Sequence, residues 1–219
     1  MVDIRTQLDA VTRSLTVTER DGERENVQTL TQTYPSTLAD VWEAVTTADR
    51  IARWFSPVTG DLELGGRYQI EGNAGGTILA CDPPVGGSAG YRITWEFGGG
   101  TTWVAIVLQS VEDAHTRLEL IHTARVGDLP PEFWETYGPG ATGVGWDLSL
   151  LGLALYLGTG VGMAPDEAEA WAIGDEGSAF ARESADGWAQ AHISAGGDPV
   201  SARRSADATW AFFTGHSVP

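Results

Sequence analysis

The chain has no lysine: its thirteen basic residues are all arginines, set against thirty acidic ones. That absence excludes mechanisms that need a lysine, namely a Walker A phosphate clamp, a Schiff base or a kinase-type ion pair. The shortage of cations leaves a formal net charge of −17. A field of that sign repels phosphate backbones and anionic bilayers, so neither nucleic acid nor a membrane is an expected partner. Cysteine is nearly absent, and Cys81 alone supports neither an intramolecular disulfide nor a multi-cysteine zinc site. A reducing cytoplasm is the expected compartment. The opening residues, MVDIRTQLDAVTRS, lack an apolar run after a basic one, so they do not read as a secretory signal. What is present is a folding composition: 219 residues, 42% hydrophobic, 20% charged, with nine tryptophans. That size predicts one domain with an extension, or two small ones.

One long apolar stretch, Gly143 to Gly162, carries Asp147 as its only charge. Its six glycines, its one charge and the lack of a flanking basic cluster favour a buried helix over a membrane span. Trp146, Leu150, Leu153 and Leu157 recur at i, i+4, i+7 and i+11, and Leu148, Leu151 and Leu155 widen the apolar surface. The prediction is a helix covered on most sides.

Ile4, Leu8 and Val11 predict a short amphipathic helix ending near Arg13. Leu15 and Val17 alternate with polar residues, Asp21-Gly22 signals a tight turn, and residues 24–33 return as a Thr-rich strand. Pro35 ends that hairpin. Ser36 or Thr37 can cap a helix over 37–47, whose Leu38, Val41, Trp42 and Val45 share one face. A short helical turn follows around Ile51 to Phe55. Strands are predicted near 66–71, 76–81, 90–97, 102–110 and 115–124, as an antiparallel meander. Tyr91, Ile93, Trp95 and Phe97 share one face, as do Val104, Ile106 and Leu108, and Leu118, Leu120 and His122. Asp128 to Gly140 reads as a loop. Residues 165–214 read as two or three helices, with Pro165-Asp166 and Asp198-Pro199 as starts. Trp171, Trp188, Ile193, Trp210, Phe212 and Phe213 make that tail too apolar to be solvated. It is expected to dock, on the outer sheet face carrying Trp103 or on a second copy, so a homodimer is a possible assembly.

Several motifs match known chemistry in letters only. Gly138-Pro-Gly140-Ala-Thr-Gly143 fits GxGxxG but follows an irregular loop, whereas dinucleotide binding needs a parallel strand before it. The alternative is a flexible lead-in that lets the helix N-terminus sit close to the sheet. Gly86-Gly-Ser88-Ala-Gly90 fits GxSxG, yet a strand rather than a helix follows the serine. No histidine pair has metal-ligand spacing, so no metal, nucleotide or other cofactor is expected. His122 stands apart from the other histidines because it ends an apolar strand face. It is either a core histidine bonded to backbone, or a polar contact for a ligand or a proton-transfer group. Arg92 and Glu96 lie opposite Trp95 and read as a solvated ladder.

Tryptophans 42, 54, 95, 103, 134 and 146 are many for one fold, and they suit either a thick core or the wall of an amphipathic-ligand pocket. Together with the element order, the set Val41-Trp42-Glu-Ala-Val45, Arg53-Trp54-Phe55, Gly65-Gly-Arg67-Tyr68, Thr94-Trp95-Glu96 and Thr116-Arg-Leu118-Glu-Leu120-Ile-His122-Thr123 resembles the SRPBCC (START-like, Bet v-like) superfamily. It is most similar to the branch named for the C-terminal domain of the activator of heat-shock-protein-90 ATPase, over roughly residues 24–160. The resemblance implies an α+β helix-grip fold, in which a curved antiparallel sheet wraps a long C-terminal helix and leaves a cavity. On that basis residues 1–160 form the helix-grip domain and 161–219 a helical extension packed on it. The implied function is binding of a small apolar or amphipathic molecule. The alternatives are a polyketide cyclase/dehydratase-like or hydrolase-like enzyme in the same cavity, for example pairing His122 with Asp147, or a co-chaperone-like ATPase activator. The expected lining, between the sheet and the helix of about 142–158, is Trp54, Tyr68, Trp95, His122, Trp146 and Leu150.

Overall fold

Asp21 and Gly22 both adopt left-handed backbone, with φ of 55° and 81°, as a two-residue hairpin turn requires. This turn joins β1 (Thr12–Arg20) to β2 (Glu23–Tyr34), after a short helix α1 (Ile4–Ala10). Next come α2 (Leu38–Thr46) and α3 (Ala48–Ile51). Thr37 caps α2 by accepting from the Asp40 amide, and the Ser36 hydroxyl donates to the Asp40 carboxylate. Strands β3 (Val58–Gly60), β4 (Arg67–Ile70), β5 (Gly75–Val85), β6 (Ser88–Phe97), β7 (Gly100–Glu112) and β8 (His115–Arg125) follow. The computed structural model describes residues 4–112, 114–128 and 130–217.

The strands form one sheet in the order β1-β2-β8-β7-β6-β5-β4-β3, and each neighbouring pair from β8 to β3 is antiparallel. Together with eight α-helices among the described residues, this is the expected α+β helix-grip arrangement. The three-residue β3 escaped the sequence reading because its existence depends on pairing Val58 with Ile70, not on any local pattern. A second difference lies at 128–140, where a loop was expected. A 3-10 turn (Val126–Asp128) and helix α4 (Pro131–Tyr137) occupy it. Pro131 presets the first helical turn, and seven residues are too few to display a helical period.

The chain divides into two compact units. The sheet unit comprises Thr31–Ala124 and Leu151–Gly162. The hairpin–tail unit comprises Met1–Leu30, Arg125–Leu150 and Met163–Pro219. Helix α5 (Gly140–Thr159) runs through both; it is long and apolar enough to cross a membrane by length and composition. Its Val144, Asp147, Leu150, Leu151, Leu153 and Tyr156 are buried within the protein.

In the hairpin–tail unit the tail folds as α6 (Pro165–Ile173), α7 (Asp175–Ser194) and α8 (Pro199–Thr214). Asp198 caps α8 by accepting from the Ser201 amide at 2.8 Å. Phe180, Ser184 and Trp188 repeat every four residues along α7 and are buried, which places a full stripe of that helix in a core. In this unit α7 packs on α1 and β1, and α8 on α4 and α7. The expected partner surface at Trp103 belongs to the sheet unit.

The start of α5 explains the glycine motif. A Cβ on Gly140 would meet Thr209 at 2.9 Å, and one on Gly143 would meet the Trp188 indole at 2.3 Å. These glycines clear a track for α8 and α7, where the sequence suggested room for the sheet. The same helix start is tied to β2, because Gln28 Nε2 donates to the Pro139 carbonyl at 2.7 Å and Thr142 Oγ1 donates to Gln28 Oε1 at 2.6 Å.

Candidate functional site

Strand parity and register bring three of the six predicted residues, Tyr68, Trp95 and His122, onto one face of the sheet unit. Trp95 pairs with Thr102, Ile93 with Val104 and Tyr91 with Ile106 across β6 and β7. Val104 then pairs with His122, Ile106 with Leu120 and Leu108 with Leu118 across β7 and β8. Alternation carries these side chains to one side, the inner face, where Val104, Ile106, Leu108, Leu118 and Leu120 are buried. Tyr68 joins them from β4. It forms a cluster with Ile70 and Ile78, against which Phe55, Ile93 and Trp95 pack.

His122 is 4% exposed, and its Nε2 is hydrogen-bonded to Thr102 Oγ1 at 2.8 Å. Burial holds its imidazole down to about 4, so the ring is neutral near pH 7. The Tyr68 hydroxyl donates to the Thr94 carbonyl at 2.6 Å, and burial pushes its phenol well above the ordinary value. The Tyr91 hydroxyl is also raised by burial, while its ring meets Trp42 edge-on at 6.4 Å.

Trp54 is placed differently from the expectation of a simple pocket wall. Its Nε1 donates to the Ala44 carbonyl at 2.9 Å, and its own carbonyl sits where a Cβ on Gly152 would be, 2.5 Å away. It therefore fastens the turn after α3 to α2 and to the later part of α5, all within the sheet unit. Trp146 and Leu150 are buried on the part of α5 that belongs to the hairpin–tail unit.

Three polar members of the sheet unit's interior escaped the sequence reading. Thr102 was hidden at the start of a strand judged by its apolar residues. Gln32 and Tyr34 are buried and linked, the Tyr34 hydroxyl donating to Gln32 Oε1 at 3.1 Å. They share parity with Leu30, but a polar alternation gives no hydrophobic signal. On the outer face, Arg67 pairs with Glu96 at 2.8 Å and Arg117 with Glu119 at 3.1 Å. Glu96 thus lies in an exposed ion pair with Arg67, where the sequence suggested a ladder with Arg92.

Asp147, the carboxylate weighed as a partner for His122, is taken up within the hairpin–tail unit. Its Oδ2 accepts from Arg13 Nε at 2.8 Å, Ser184 Oγ at 2.5 Å and Trp188 Nε1 at 3.0 Å. Burial pushes its carboxyl up, against the pull of Arg13 and the two neutral donors. Among the described residues no group of three or more His, Cys, Asp or Glu side chains is placed to hold a metal ion.

Residues 35–158 match the family described as Activator of Hsp90 ATPase homolog 1-like protein. Among solved structures, the crystal structure of CalU16 from Micromonospora echinospora is 30% identical over 74% of this chain and 96% of that one, with a TM-score of 0.55. Its solution NMR structure is 28% identical over 85% and 97%, with a TM-score of 0.65. SA2116 from Staphylococcus aureus, a protein of unknown function, is alike in fold alone: 15% identity over 64% and 98%, TM-score 0.52. No curated protein matches the chain.

Proposed function

The chain belongs to the activator of Hsp90 ATPase homolog 1-like family, and on that premise we propose that the inner face of its sheet binds one small apolar or amphipathic molecule. The observation that carries this reading is an uneven burial across one row of strands. Val104 and Ile106 are 3% and 5% exposed, yet their cross-strand partners Ile93 and Tyr91, with Trp95 beyond, remain partly accessible. Close-packed interiors leave few such surfaces. Ile93 and Trp95, which stay partly accessible in mid-sheet beside one neutral imidazole, suit a ligand with an apolar body and a polar handle.

The proposed contacts are Tyr68, Ile93, Trp95 and the His122–Thr102 pair, with Trp54 holding the adjacent turn in place. A binding role is favoured over a catalytic one because His122 is bonded to a neutral hydroxyl, while Asp147 is engaged by three other partners. The helical extension of 161–219 serves as scaffold in this reading, and the lone Cys81 suits a cytoplasmic protein.

Native mass spectrometry of the intact protein, with organic extraction of what co-purifies, tests the reading. A stoichiometric small molecule that is lost in Trp95→Ala is the expected result. A ligand-free protein whose tryptophan fluorescence responds to no apolar probe would overturn it.

A further inference from the structure

We infer that the molecule held on this inner face is uncharged, its polar handle being a carbonyl, phenol or alcohol hydroxyl and not a carboxylate, phosphate or amine. The inference rests on the binding proposed above and adds the chemistry of the ligand.

A buried ionic group needs an opposite charge or several aligned donors, and without them it is expelled. The chain has no lysine, so arginine is its only permanently cationic side chain, and the sheet unit contains five. Arg67, Arg92 and Arg117 each stand next to an inner-face residue on their strand, at Tyr68, at Tyr91 and Ile93, and at Leu118; alternation therefore turns all three outward. Two of them are also paired there, with Glu96 and Glu119. Arg53 is exposed on the turn after α3. Arg50 is spent on α2 and α5: Nη2 donates to Asp40 Oδ1 at 2.8 Å, Nη1 to the Asp40 carbonyl at 3.1 Å, and Nε to the Tyr156 hydroxyl at 2.9 Å.

The same alternation excludes a cation. Among the residues of β6, β7 and β8 that share the parity of Trp95, Val104 and His122, up to the register shift between Ser110 and Glu112, there is no carboxylate, and the polar ones include Tyr91, Thr102, Thr116 and His122. Their polar groups, with the Gln32–Tyr34 pair, are neutral donors and acceptors. Burial keeps the His122 ring uncharged near neutral pH. The net charge of −17 further opposes the approach of an anion.

Three probes of equal shape test this on the full chain at pH 7: anthracenemethanol, anthracenecarboxylate and (aminomethyl)anthracene, titrated by tryptophan quenching into the wild type and Trp95→Ala. The alcohol should bind at least about tenfold more tightly than either ion, and Trp95→Ala should abolish that binding. If the carboxylate or the amine binds as well as the alcohol and remains sensitive to Trp95→Ala, the site stands and the inference about charge is overturned. If no probe binds, or binding ignores Trp95→Ala, the binding face itself is wrong and the inference falls with it. Should Trp95→Ala fail to fold, Ile93→Ala on the same strand face takes its place in the comparison.

Discussion

The indole of Trp188 lies against the bare backbone of Gly143: a methyl group there would stand 2.3 Å from Cε2 and 2.4 Å from Nε1. Gly143→Ala should therefore destabilise the protein by about 1–3 kcal/mol through overpacking. The higher helix propensity of alanine, about 1 kcal/mol, opposes that loss and sets its lower range. Urea unfolding followed by circular dichroism checks the sign. A stabilised variant would show that α7 does not need this contact.

Asp147 and Arg13 should behave as one unit. The Asp147 side chain is 0% exposed and that of Arg13 11%, so removing one partner strands a buried charge. Asp147→Ala should cost about 3–5 kcal/mol, and adding Arg13→Met should cost far less than it does alone. A double-mutant cycle in which the two losses simply add would refute the coupling.

The buried His122 predicts a specific pH dependence. Its folded pKa, about 4, lies below the ordinary histidine value of 6.5, so the unfolded chain binds the proton more readily. The neutral ring's contribution is complete above about pH 6.5 and is lost as pH falls towards 4, to a total of about 3 kcal/mol. His122→Gln should flatten stability between pH 7 and about 4 relative to the wild type. Parallel slopes for the two proteins would mean that the imidazole is protonated in the fold or solvated.

Removal of residues 161–219 should unfold the hairpin–tail unit instead of trimming an appendage. Phe180 and Trp188 are 1% and 0% exposed, and without α7 and α8 the glycine track of α5 and Asp147 lose their partners. Hydrogen exchange should show amides of β1 and the first turns of α5 losing protection in the truncated chain. Unchanged protection there would make the tail dispensable.

Much of the architecture was legible from local signals. Val41, Trp42 and Val45 marked α2, Asp21-Gly22 marked the hairpin, and strict alternation placed Trp95 on one strand face with Ile93 and His122 on one with Leu120. Period is a property of neighbours in sequence, and a long periodic element carries its own signature. The starts of α6 and α8 at Pro165 and Pro199 were readable for the same reason. Short elements were not: β3 and α4 are held by partners far along the chain.

The amino-acid sequence by itself determined which side chains face together along each strand, the absence of any lysine chemistry or intramolecular disulfide, and the α+β order of elements. Only the tertiary structure decided which polar groups meet. Asp147 could be read as a catalytic candidate because nothing in its own helix announces Arg13, Ser184 and Trp188, which lie 134, 37 and 41 residues away. Likewise Thr102 becomes the partner of His122 through a register across two strands, and the glycines of α5 acquire meaning only when Thr209 and Trp188 arrive. Hydrogen bonds and van der Waals contacts act over a few ångströms in space, and a distance that short is set by the fold, not by separation along the chain.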